Sequence, residues 1–341
     1  MMPKWSQREK VLGALCGKNE GQPSVISAHQ TATVELMQRL SAFWPQANQD
    51  PDKMARLAMG GSTILGFETI HVPFDHLVEA EALGARLSPG TEYEFPEVTS
   101  IIDERPENFE FPTNLRGRGR IGVVLRAIES IKEVMGDDVP IIGSVMGPFT
   151  VSLQAFGFSK VLKWIAKGDQ SLSHSMKMLV RPLLDYAMAQ VAAGATIICI
   201  EEALTSPDLI NPKFFKSEIA PELDEMISGI KAPVIICIDD DRDLSLSSTL
   251  RELPRAVLLS PRSSPTAASR LVSRGVRLAG NIAPEILYRG DEREISAAVR
   301  LAYNSGIRLI APSGSILPQT KISSIRKMVD EVRALELQRR N

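Results

Sequence analysis

Eight short apolar runs, each followed by a helical stretch, predict a (β/α)8 barrel for this chain of 341 residues. The runs are rich in β-branched residues and apolar throughout, as parallel strands covered on both faces must be. Their number and their alternation with helices fit a closed barrel better than an open sheet; a doubly wound sheet is the alternative. The length also suits a barrel, which often exceeds the size of an ordinary domain.

The elements follow in order. Ser6-Gln7-Arg8-Glu9 has the pattern of a capping box, and Val11, Leu12 and Leu15 continue the helix it opens. Residues 1–23 are thus read as an N-terminal helical extension. The strand runs are 24–29, 68–74, 140–147, 196–202, 233–240, 256–261, 276–282 and 307–313. Residues 85–120, acidic and proline-bearing, are an insertion after the second strand that covers one barrel mouth. Residues 159–195 hold two helices broken at Lys167-Gly168-Asp169. No composition break marks a linker, so residues 1–341 are expected to form a single barrel domain.

Composition narrows the function. A hydrophobic content of 44% supports a continuous core, and a net charge of −2 argues against nucleic-acid binding. Cys16, Cys199 and Cys237 are too few and too scattered for a disulfide framework, which points to a reducing, cytoplasmic setting. The first residues lack a signal-peptide core, and no apolar run approaches the roughly 20 residues that span a bilayer. No membrane partner is expected; a homodimer is compatible with the sequence.

In a barrel, chemistry gathers at the C-terminal ends of the strands. Those ends read His29-Gln30, Asp75-His76, Gly147-Pro148-Phe149, Glu201-Glu202, Cys237 with Asp239 and Asp240, Asn281, and Ser313 to Ser315. From them, Asp75, Asp239 and Asn281 are assigned as catalytic. His29, Gln30, Glu202, Cys237, Asp240, Ser313 and Ser315 are assigned as substrate-binding. Each has a plainer alternative. His29 can satisfy backbone at a strand end, the run from Asp239 to Asp243 can cap a helix, and Asn281 can be a turn residue. Cys199 and Cys237, flanked by isoleucines, can be inert buried thiols. Arg116, Arg118 and Arg120 alternate with glycines; a grip on an anionic tail or a partner protein is the alternative, and a solvated turn is the preferred reading.

The order of several motifs is more specific than any one of them. Gln30-Thr31-Ala32-Thr33-Val34-Glu35-Leu36-Met37, Val72-Pro73-Phe74, and Val78-Glu79-Ala80-Glu81-Ala82-Leu83-Gly84 together resemble the methylcobamide:coenzyme M methyltransferases. Gly147-Pro148-Phe149-Thr150, Ile198-Cys199-Ile200, Gly280-Asn281 and Ala311-Pro312 extend the likeness over nearly the whole chain. It places the protein in the uroporphyrinogen decarboxylase superfamily. The resemblance implies a barrel that takes a methyl group from methylcobalamin carried by a partner corrinoid protein. It also implies zinc, held by a His-x-Cys pair and a later Cys. Here those positions read Ile235, Cys237 and Gly314, so two of three ligands are missing and no zinc is expected. The parent decarboxylases carry an Asp that matches Asp75. Their arginine-rich N-terminal segment corresponds here to Ser27-Ala28-His29-Gln30-Thr31-Ala32, which has no arginine, and this argues against porphyrinogen as the substrate.

A zinc-free acceptor must be nucleophilic when neutral, and tetrahydrofolate is the expected small-molecule methyl acceptor. Asp75, Asp239, Asp240, Glu202 and Asn281 are suitable types to pin a pterin ring. Three alternatives stay open: a thiol acceptor served by a rebuilt metal site, a lyase or decarboxylase using Asp75, and a non-catalytic binding protein.

Overall fold

The computed structural model describes residues 5–18, 22–206, 209–239, 244, 246–264 and 268–340. Among these, ten strands occur: β1 (Ser24–Val25), β2 (Ile70–Val72), β3 (Arg86–Ser88), β4 (Glu97–Ser100), β5 (Ile141–Met146), β6 (Ile197–Glu202), β7 (Val234–Ile238), β8 (Ala256–Leu258), β9 (Arg277–Ile282) and β10 (Leu309–Pro312). Eight of them, all parallel, form one sheet in the order β1-β10-β9-β8-β7-β6-β5-β2. Its ends meet. The Glu68 N–H donates to the Val25 carbonyl at 2.8 Å, and the Ser27 N–H donates to Thr69 Oγ1 at 3.0 Å. A (β/α)8 barrel results, and each of the eight apolar runs contains one of its strands.

Residues alternate between the two faces of each strand, and the alternation fixes what the barrel encloses. Ile26, Ile142, Ile197, Cys199, Ile235, Leu258, Ala279, Leu309 and Ala311 pack inside in one apolar cluster. Val25, Ile198, Ile200, Val234, Ile236, Ile282 and Ile310 belong instead to the larger cluster beneath the surrounding helices. The helix Gln7–Leu15 stoppers the barrel with Val11, Ala14 and Leu15, which join the inner cluster. Its capping box forms: Ser6 N–H donates to Glu9 Oε2 at 2.9 Å and Glu9 N–H to Ser6 Oγ at 3.2 Å. Lys10 on that helix reaches Glu68 and Glu336, both at 2.6 Å. Burying a side chain such as Leu15 contributes about 1.5–3 kcal/mol.

The insertion is not structureless. β3 and β4 pair as an antiparallel hairpin, and Phe95 from its connection packs on Trp44 with ring centroids 5.3 Å apart. The two expected helices are Phe158–Lys167 and Ser171–Ala193, parted at Gly168. No helix among the described residues is long and apolar enough to cross a membrane.

One expectation is corrected here. Arg120 does not lie in a solvated turn. It is 3% exposed and donates to Asp75 at 2.5 and 3.1 Å and to Glu81 at 2.6 Å. Arg116 pairs with Asp185 at 3.0 and 3.1 Å. A guanidinium offers five donors in a rigid fork, which is why it suits a buried carboxylate.

Candidate active site at the barrel mouth

The strand alternation that places Cys199 and Ile197 inside also places Glu201 inside, above them, at the end of β6. Glu202, one residue on, faces outward. Its carboxylate accepts from the N–H groups of Phe149 and Thr150, at 3.2 and 2.6 Å, and so caps the helix Pro148–Phe156. Burial raises the Glu202 pKa to about 7, although these hydrogen bonds work against the rise. Gly147 belongs to the same arrangement, because a Cβ there would meet Glu202 Oε2 at 2.1 Å.

Glu201 is the centre of the mouth. It is fully buried, yet three imidazoles surround it. His29 Nδ1 lies 2.7 Å and His76 Nε2 3.1 Å from Glu201 Oε2, and His71 Nε2 lies 3.9 Å from Oε1. The Ser144 hydroxyl donates to Oε1 and stands 3.1 Å from His71 Nε2. Burial alone would raise the pKa of Glu201; His76, His29 and His71 outweigh it and hold the carboxylate well below its usual range. Burial opposes charge on His29, but Glu201 and then Cys237 overcome it and raise its pKa. His71 is left neutral, with burial lowering its pKa to about 3.

The two oxygens of Glu201 have different work. Oε1 is engaged by Ser144, whereas Oε2 faces His29 and His76 without the alignment of a hydrogen bond to either. Among the described residues, His29, His76 and Glu201 are the one group of His, Cys, Asp and Glu whose donor atoms gather within 4.8 Å of one another. His76, whose side chain is 34% exposed, carries the group to a cavity of 340 Å3. Phe74, Asp75, His76, Leu77 and Ser315 line it, with Phe95 and Pro96 from the insertion.

The other residues assigned from sequence fall in several places. Cys237 sits at the mouth on the inner face of β7, next to the apolar cluster that includes Ile235. Asn281 is on β9, with Ser313 close to the adjoining Gly280; a Cβ on that glycine would meet Ser313 Oγ at 3.1 Å. Asp75 lines the cavity but its carboxylate is held by Arg120. Gln30 is fully buried and ties Ile316 to Ala32, donating to the Ile316 carbonyl and accepting from the Ala32 N–H at 2.7 Å. Asp239 pairs with Arg262 at 3.0 Å and is not among the converging donors of the His–Glu group. Asp240 lies outside the described residues. Sequence reasoning gave no role to His71, His76, Ser144 or Glu201. His76 and Glu201 stood at the right strand ends, and only the phase of the alternation separates Glu201 from Glu202.

This barrel and mouth have relatives. A family model described as uroporphyrinogen decarboxylase (URO-D) matches residues 6–335. The chain belongs to the uroporphyrinogen decarboxylase family. Within it, the chain is 31% identical over 334 residues to the methylcobamide:CoM methyltransferase MtaA of Methanosarcina barkeri, covering 96% of this chain and 98% of that one. It is 28% identical over 342 residues to the methylcobamide:CoM methyltransferase MtbA of Methanosarcina acetivorans, with the same two coverages. A solved structure titled methyltransferase from Methanosarcina mazei superposes with a TM-score of 0.91 at 29% identity, covering 97% of this chain and 99% of that chain. Full-length kinship of this degree supports a methyl-transfer enzyme.

The zinc set implied by the sequence resemblance does not fit. Ile235 is fully buried in the apolar layer, Gly314 has no side chain, and Cys237 is the one donor left at those positions. Two donors too few remain for a three-ligand site.

Proposed function

We propose that this enzyme moves a methyl group between a methylcorrinoid, carried by a partner protein docked over the barrel mouth, and a small thiol of the coenzyme M type. The observation that carries the reading is the His29–His76–Glu201 group set against a cavity open at the mouth. Thiols react as thiolates. The His29–His76–Glu201 group at the mouth is where the acceptor sulfur is held and where its proton is lost before attack. The sulfur lone pair then forms the S–CH3 bond, and the electron pair of the broken Co–C bond stays on cobalt. Holding the two partners in line within the cavity provides much of the acceleration.

The thiol is preferred to tetrahydrofolate because three of the four acids suited to a pterin are engaged: Asp75 with Arg120, Asp239 with Arg262, Glu202 at a helix terminus. The named relatives act on coenzyme M. A decarboxylase role for Asp75 meets the same obstacle, since that carboxylate is committed to an ion pair.

The test is to incubate the protein with methylcobalamin and either coenzyme M or tetrahydrofolate and follow loss of the methylcorrinoid spectrum. Demethylation by the thiol is expected. Demethylation by tetrahydrofolate alone, or by neither, overturns the proposal.

A further inference from the structure

We infer that His29, His76 and Glu201 form a binding site for a divalent transition cation of the zinc class, built from residues other than the Ile235, Cys237 and Gly314 positions. Three separate elements deliver the ligands: the loop after β1, the loop after β2 and the end of β6. Two imidazoles and one carboxylate are a ligand set that zinc accepts while keeping a fourth position open.

Geometry supports convergence on a shared point. The His29 and His76 nitrogens stand 2.7 and 3.1 Å from one carboxylate oxygen as ion-pair contacts, yet neither contact has the alignment of a hydrogen bond, and His29 Nδ1, His76 Nε2 and Glu201 Oε2 are all buried. Buried polar atoms are seldom left so poorly aligned, and three that face one another point to a shared ligand. Donors about 2 Å from a tetrahedral ion are ~3.3 Å from each other, so the two carboxylate contacts need lengthen by well under 1 Å.

The surroundings match as well. Ser144 holds Oε1 of Glu201 and is itself contacted by His71, which turns Oε2 toward the imidazoles. Such outer partners orient a ligating carboxylate. Cys237 lies beside His29 on the inner face of β7. The exposed edge of His76 faces the cavity, and a cation held by the three residues would supply there the acidity that favours the thiolate form of an acceptor thiol. Only this role rests on the methyl-transfer reading; the existence of the site does not.

The experiment uses the full chain, stripped with a chelator and titrated separately with Co2+ and Zn2+. Expected are one equivalent of zinc per chain by elemental analysis and a visible absorption of four-coordinate cobalt. His76→Asn, at a half-buried and foldable position, is expected to weaken binding by more than about tenfold, as are His29→Asn and Glu201→Gln. Cys237→Ser is expected to keep one equivalent. No binding by the parent protein overturns the site, as does binding untouched by His76→Asn or abolished by Cys237→Ser alone. A metal-binding protein that leaves methylcobalamin intact with every thiol sinks the proposed function and not this site. A metal-free protein that demethylates it does the reverse.

Discussion

Arg120 clasps Asp75 with two N–H donors, Nη1 to Oδ2 at 2.5 Å and Nη2 to Oδ1 at 3.1 Å, where both side chains are almost closed to solvent. The pair joins the end of the insertion to the loop after β2, and Glu81 makes a third member at 2.6 Å. Removing one partner of a buried pair leaves an uncompensated charge and costs about 3–5 kcal/mol. Arg120→Met should therefore lower unfolding free energy by that amount, read as a reduced urea midpoint at unchanged slope. Replacing both residues, Arg120→Met with Asp75→Leu, should recover much of the loss. A single variant as stable as the parent would show that the pair is not what anchors the insertion.

Glu79 gives a pH dependence. It is buried, accepts from the Met146 N–H at 2.9 Å, and burial lifts its pKa from 4.5 to about 7, with Glu201 and Asp75 adding to the rise. Between those values the native chain keeps a proton that the unfolded chain has released. Stability contributed by this group is thus complete below about pH 4.5 and drains away as pH climbs to about 7. At about 1.36 kcal/mol per pH unit the interval carries about 3 kcal/mol. Glu79→Gln keeps an acceptor for Met146 and removes the titration. The variant should match the parent near pH 4.5 and exceed it above pH 7 by up to about 3 kcal/mol in denaturant unfolding. A difference that is flat across this range rejects the assignment.

The barrel was legible because its chemistry is repetitive. A parallel strand covered on both faces must be apolar at every position, so each strand announces itself as an unbroken run. The hairpin β3–β4 was not legible, since its short strands are mostly exposed and carry Arg86, Ser88, Glu97 and Ser100. The same repetitiveness hid the centre of the site. In Ile197-Ile198-Cys199-Ile200-Glu201-Glu202 both faces are equally apolar, so the pattern contains no phase to say which glutamate turns inward. Arg120 and Asp75, 45 residues apart, meet only through the fold. Sequence alone marked the strand ends correctly and could not say which of their side chains converge.

The helix Pro148–Phe156 offers a local test. A Cβ on Gly147 would stand 2.1 Å from Glu202 Oε2 and 2.5 Å from its Cδ, too close for either to remain. Gly147→Ala should displace the carboxylate from the Phe149 and Thr150 amides, and overpacking of this kind costs about 1–3 kcal/mol. The cost should largely vanish in a Glu202→Ala background, measured as a double-mutant cycle. Strict additivity would mean the two residues do not share this space.

Ser144 separates orientation from direct participation at the mouth. Its hydroxyl donates to Glu201 Oε1 and is met by His71 Nε2 at 3.1 Å, but it is not one of the three converging donors. Loss of such a supporting contact commonly costs ten- to a hundredfold in metal affinity or activity. Ser144→Ala should therefore weaken Co2+ binding and thiol-dependent demethylation together by about tenfold or more. Ser144→Thr retains the hydroxyl and should recover both. The Thr variant distinguishes a lost hydroxyl from general damage to the core, because it adds a methyl to a site that is 1% exposed and so carries whatever packing cost exists. If Ala and Thr are equally impaired, packing is responsible; if only Ala is impaired, the hydroxyl is what turns Oε2 of Glu201 toward His29 and His76.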